Sequence, residues 1–166
     1  QVDDFTAINP VGTVPVLVDN GNAHREGAAV ILYLLNKHQS TMLPSACDDR
    51  DSAIQDIMFA NATMHPAYSR LFFIAQNIGD EQAKQSAFKA AAQAITSLWQ
   101  VVEQQLANQK FLGGDQPSAA DIMLTVYSRW GCLLYPFDAA DDADTVGIRG
   151  SSTPTTQPHT QTTRRP

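Results

Sequence analysis

Two short stretches near the start of the chain could bind a small charged molecule between them. Asn9-Pro10-Val11-Gly12-Thr13-Val14-Pro15 leads into Val16-Leu17-Val18, and Glu26 stands at the start of the next apolar run. Proline disfavours helical backbone in the residue before it, so Val14 is expected to be extended. A tight turn of this kind also leaves a cis bond open to Pro15. Val14 would then offer its main-chain N–H and C=O to a passing peptide. Glu26 can meet an ammonium group, and the first N–H groups of the helix behind it, unpaired by helix geometry, attract a carboxylate. A single zwitterionic peptide could use all of these groups.

In this order the residues resemble the glutathione-binding half of the glutathione transferases. In that family a Val-Pro step pairs with the cysteinyl backbone of glutathione, and a Glu-Ser or Gln-Ser pair receives the γ-glutamyl end. The resemblance assigns glutathione binding to Val14, Pro15, Glu26 and Gly27. Gly27 departs from the pattern: it keeps the N–H but lacks the hydroxyl, a loss of about 1.5 to 3 kcal/mol if nothing replaces that bond to a charged carboxylate. Weak glutathione affinity is therefore expected. Further on, Met64-His65-Pro66-Ala67-Tyr68-Ser69-Arg70-Leu71-Phe72 is similar to a stretch of the bacterial beta-class enzymes in which the histidine approaches glutathione. That makes His65 the candidate for stabilising a thiolate or relaying a proton, since imidazole titrates near neutrality. His65 and Tyr68 are the candidates for bordering the electrophile site.

Other chemistry finds little support. There is no Gly-x-Ser-x-Gly elbow, and Cys47 and Cys132 are far apart in no metal or redox spacing. Both are expected to be free thiols packed as small hydrophobes. His24, His38 and His159 lack ligand-like neighbours, so no metal is expected. The net charge of −6 over 166 residues comes without basic clusters, which argues against nucleic acid and an anionic membrane surface as partners. No apolar run approaches the roughly 20 residues that span a bilayer. A cytoplasmic protein is the expectation.

The elements that must hold these residues are legible from patterning. Residues 16–18 and 23–25 read as strands around Asp19-Asn20-Gly21-Asn22, because Asn-Gly supplies the positive φ angles of a two-residue hairpin turn. Residues 26–38 read as a helix apolar around much of its circumference. Ile54, Ile57, Met58, Asn61, Met64, Tyr68, Leu71, Phe72 and Ala75 recur at helical spacing, so one long helix is expected over about residues 49–78, kinked at Pro66. A second runs over about residues 81–108. Ser118 and Asp121 fit a capping box that starts a third.

The fold class expected is α/β plus all-α. The resemblance implies part of a thioredoxin-like domain, hairpin and helix, at residues 1–39, a linker at 40–48 and a glutathione transferase-type all-helical domain at 49–137. Residues 138–166 are acidic and then rich in Thr, Pro and Gln, a composition expected to be disordered. Family members carry a strand, a helix and another strand ahead of the Val-Pro step, bearing the group that activates the thiol. Their absence makes the chain read as a fragment whose catalytic residue is unknown. The function implied is conjugation of the glutathione thiolate to small hydrophobic electrophiles, in a full-length protein expected to be a homodimer. A non-catalytic interaction module on the same fold is the alternative, and Gly27 leans towards it.

Overall fold

Asn20 and Gly21 stand at φ of 48° and 78°, the left-handed pair that lets a two-residue turn follow the twist of its strands. Around them β1 (Val16–Asp19) and β2 (Asn22–Arg25) pair antiparallel, with Val16 opposite Arg25 and Asp19 opposite Asn22. The computed structural model describes residues 2–134, with side chains described for residues 5–131. The expected tail at 138–166 and the last residues of the helical region lie outside them.

A short helix that the sequence did not signal, α1 (Val2–Ile8), precedes the hairpin. Its last carbonyl is capped from β2: Nε of Arg25 donates to the Ile8 oxygen at 2.8 Å, and Nη2 of the same guanidinium donates there too. Helix α2 (Gly27–Lys37) follows β2 directly. It is tied to the hairpin by the Asp19 carboxylate, which accepts from the Tyr33 hydroxyl at 2.5 Å and pairs with Lys37. His24 stacks on Tyr33 with ring centroids 3.7 Å apart. The Lys37 and Tyr33 hydrogen bonds hold the Asp19 carboxyl below the usual carboxylate range.

Residues 38–46 form no regular element. Arg50 straps this stretch, donating to Asn36 Oδ1 at 2.8 Å and to the Pro44 carbonyl at 3.4 Å. Helix α3 (Cys47–Met58) starts with Asp48 and Asp49 in its first turn, where the helix dipole favours acids.

Here the structure departs from the single kinked helix. Phe59–Met64 is a π-helical segment, and α4 (His65–Asn77) begins at the residue before Pro66. The His65 N–H bonds to the Ala60 carbonyl, five residues back. Proline clashes with the carbonyl four residues before it. The wider π turn accommodates it by lengthening the hydrogen-bond step upstream, so the irregularity precedes the proline and the helical run continues through it.

Helix α5 (Glu81–Leu106) is capped by Asp80, whose carboxylate accepts from the Ala83 N–H at 2.7 Å, and it packs along α4. Helix α6 (Ala119–Leu134) follows the capping segment. There Ser118 N–H donates to Asp121 Oδ2 at 2.7 Å, and Asp121 N–H donates back to Ser118 Oγ at 3.2 Å. The other Asp121 oxygen accepts from Leu112 N–H at 3.0 Å, which fixes the preceding loop to the helix.

The core lies among α3, the π segment, α4, α5 and α6, with Ile57 and Met64 fully enclosed. Truncating such a residue to alanine typically costs about 2 to 5 kcal/mol. Ala28 joins this core from α2, with Ile31, Leu32 and Leu35 packed beside it. The hairpin-and-helix unit is thereby seated on the helical one, and the fold is α/β plus all-α.

Candidate functional site

Asn9 builds the loop that presents Val14. Only 2% exposed, its side chain donates to the Thr13 carbonyl at 2.6 Å and accepts from the Val11 N–H at 3.4 Å. Asparagine mimics a backbone turn in this way, so the loop is wound around one buried carboxamide. The Asn-Pro-x-Gly-Thr run carries a turn signal that could have singled Asn9 out. Val14 emerges 81% exposed, and its peptide bond to Pro15 is cis. Neither main-chain polar group of Val14 has a partner among the described residues, where the β1–β2 ladder starts at Val16.

Glu26 closes the other side of the turn. Its backbone sits at φ 68° and ψ 122°, a conformation costly for any residue with a Cβ. Its carbonyl accepts from the Val30 N–H at 2.9 Å, opening α2, while its carboxylate is exposed and has no partner among the described residues. The positive φ turns the chain from β2 into the helix within one residue. Gly27 follows as the first residue of α2, where a helical N–H has no intrahelical partner. A Cβ built on Gly27 would stand 3.9 Å from Cγ of Pro15 and 3.3 Å from Oδ1 of Asn61. Pro15 and Gly27, twelve positions apart, are thus neighbours, and the π segment faces them.

His65 is half-buried at the start of α4 in a group of rings from α4 and α6. Its ring centroid lies 5.5 Å from that of Tyr127 and 5.6 Å from that of Trp130. Tyr68 and Phe72 both meet Trp130 edge-on, at 6.3 and 5.9 Å. Burial pushes the Tyr127 phenol above its ordinary pKa. Tyr68 is 3% exposed, and its hydroxyl accepts from the Trp99 indole at 2.9 Å. The structure therefore places Tyr68 in the core behind His65, whereas Phe72 reaches the surface.

These parts match known sequences and structures as a set. A family model of the glutathione S-transferase N-terminal domain matches residues 1–42, and one of the C-terminal domain matches residues 58–132. The chain belongs to the glutathione S-transferase family. Glutathione S-transferase GST-4.5 of Xanthomonas campestris pv. campestris is 30% identical over 129 residues, covering 76% of this chain and 63% of that protein. The chain thus spans less than two thirds of the length of that curated relative. The solved glutathione S-transferase from Xylella fastidiosa is 25% identical with a TM-score of 0.74, over 86% of this chain and 71% of its own. A sphingomonad glutathione S-transferase solved in complex with glutathione is 27% identical with a TM-score of 0.68, over 85% and 66%. The two matched domains correspond to the thioredoxin-like and the all-helical parts of this chain.

Away from the Val14 turn, the chain has a cavity of about 310 Å³ lined by Thr41, Asp49, Asp56, Leu112 and Pro117 among others. It holds none of the glutathione-binding candidates. Burial raises the Asp56 carboxyl above the usual range, with the Asp121 charge adding to it and a hydrogen bond from Gln105 opposing it. Cys47, expected to pack as a small hydrophobe, is instead an exposed free thiol opening α3. Its place on the first turn, outside the apolar stripe begun by Ile54 and Ile57, is the reason. The side chain of Cys132 lies outside the described residues. Among the described residues no three His, Cys, Asp or Glu side chains gather as a metal site, and no helix is long and apolar enough to cross a membrane.

Proposed function

We propose that this chain binds glutathione along the Val14 turn, within a protein that conjugates the glutathione thiolate to small hydrophobic electrophiles. The observation that carries the reading is the unpartnered main chain of Val14 beside the strained, unpaired Glu26 and the bare start of α2. In it, Val14 N–H and C=O pair with the cysteinyl backbone, and Pro15 fixes the turn. Glu26 holds the γ-glutamyl ammonium, and Gly27 N–H donates to its carboxylate. Family membership and a relative of known structure in complex with glutathione support the same ligand.

Fixed donors chiefly orient the thiol for attack. In the reaction the thiolate sulfur gives its electron pair to an electrophilic carbon, and the leaving group departs with the bonding pair. His65 is the candidate for steadying the thiolate or taking its proton, with Tyr127 and Trp130 as ring walls. Tyr68, which the resemblance puts with His65 at the electrophile border, supports that wall from behind.

The reading includes a glutathione-binding unit at residues 1–39, a linker at 40–48 and a helical unit from 49, in a cytoplasmic homodimer. Titration of the full chain with glutathione, followed by amide chemical shifts, tests the site. Shifts at Val14, Glu26 and Gly27 are the expected result, with an affinity weaker than micromolar if nothing replaces the Gly27 hydroxyl; no shifts there at millimolar glutathione would remove the function. Micromolar affinity would show that another group makes up for the missing hydroxyl at Gly27. A thiol-conjugation assay separates the enzyme from the interaction module that Gly27 leans towards.

A further inference from the structure

Gly27 leaves a gap in the ring of donors around the γ-glutamyl carboxylate, and one side chain from another part of the fold points at that gap. A Cβ on Gly27 would lie 3.3 Å from Asn61 Oδ1, so a serine there would crowd the Asn61 carboxamide. Asn61 is half-buried, and neither its oxygen nor its nitrogen has a hydrogen-bond partner among the described residues. It sits in the middle of the π-helical segment, Phe59–Met64. Single π turns inside α-helical runs recur at functional sites because the added residue re-aims side chains that a regular helix would place elsewhere.

We infer that Asn61 supplies, from the π segment, the hydrogen bond to the γ-glutamyl carboxylate that Gly27 cannot give. The inference rests on the proposed glutathione site and assigns it one further binding residue. A carboxamide suits the position because it carries two donors and an acceptor. Its terminal torsion is broad and roughly two-fold, so a half-turn exchanges Oδ1 for Nδ2 without moving the backbone. With no partner to hold Oδ1 inward, the ligand carboxylate selects the orientation that presents Nδ2. The Glu26 carboxylate remains for the ammonium, so the two charges of the γ-glutamyl end meet groups from two different elements. Asn61 then links the hairpin side of the site to the helical run that carries His65 four positions later.

The test measures affinities of the full chain by chemical-shift titration for glutathione and for γ-aminobutyryl-cysteinylglycine, which keeps the ammonium and lacks that carboxylate. Asn61→Ala should weaken glutathione about tenfold, as expected for one hydrogen bond to a charged group. Asn61→Asp, the same size but negative, should weaken it at least as much. Asn61→Ala should not change the affinity for the analogue beyond error, and Asn61→Asp should leave it or raise it, because the new charge attracts the ammonium. Gly27→Ser in the Asn61→Ala background should recover most of the loss, whereas Gly27→Ser alone should gain little because its Cβ crowds Asn61. Melting curves show that each variant is folded; if Asn61→Ala is not, Asn61→Asp with the two ligands decides alone. Glutathione affinity unchanged in the folded variants overturns the inference and leaves the proposed function intact. An equal loss for the analogue overturns it too, since Asn61 would then shape the site without touching the carboxylate. If the unaltered chain binds neither ligand, the function and this inference both fall.

Discussion

The indole Nε1 of Trp99 donates a 2.9 Å hydrogen bond to the hydroxyl of Tyr68, joining α5 to α4 across 31 positions of sequence. Tyr68 lies at 3% exposure between the core and the Trp130 ring. Tyr68→Phe keeps the packing and takes away the acceptor. The expected cost is about 1 kcal/mol, a fall in melting temperature of about 3 °C for a chain of this size. An unchanged melting temperature would mean that water replaces the hydroxyl without loss.

Asp121 does more than cap α6. Its two oxygens accept from Leu112 N–H, Ser118 N–H and Ser118 Oγ, so one carboxylate closes both the helix start and the loop before it. Asp121→Ala should therefore destabilise by about 2 kcal/mol, at the upper end for a lost cap. Ser118→Ala, which leaves the Leu112 bond in place, should cost less. Thermal melts of both variants check the order, and equal losses would show that the Leu112 bond adds nothing.

How far the sequence could be read depends on how local each cause is. Asn20-Gly21 dictates its own hairpin, and Ser118-x-x-Asp121 its own cap, because the partners lie within four residues. The apolar spacing from Ile54 to Ala75 marked a helical run but not its π segment. One residue in excess shifts the face by about 100° at 3.6 residues per turn, too little for the pattern to betray. Asn61 could be read only as one of that stripe, since its neighbours Gly27 and Pro15 come from a distant element. Asn9 belongs with the local cases: its partners Val11 and Thr13 lie within four residues, and the Asn-Pro-x-Gly-Thr turn signal points to it.

Asp56 gives a pH dependence with a definite sign. Burial raises its folded pKa, so over the window from the unfolded value, about 3.9, up to the folded one, the folded chain binds more protons than the unfolded chain. Its contribution to stability falls as pH rises through that window, and above it the penalty is complete. Asp56→Asn removes the titration while keeping an acceptor for Gln105. The variant should melt above the unaltered chain at pH 7, with the difference closing as pH approaches 4. A difference independent of pH would assign the effect to packing instead of charge.

Glu26 sets stability against binding. At φ 68° and ψ 122° its Cβ is a cost that glycine would not bear, of order 1 kcal/mol or more. Its carbonyl bond to Val30 N–H is a backbone contact that glycine retains. Glu26→Gly should therefore leave the start of α2 in place and raise the melting temperature, or at least not lower it, because backbone relief offsets the greater freedom of glycine in the unfolded chain. The same change removes the only carboxylate assigned to the γ-glutamyl ammonium, so glutathione affinity should fall about tenfold or more. Glu26→Gln, which keeps the strain and loses the charge, should weaken binding without the gain in stability. Melting curves and glutathione titrations on the two variants separate the effects. If Glu26→Gly bound glutathione as tightly as the unaltered chain, the strained backbone would have no ligand to account for it, and the ammonium would need another partner.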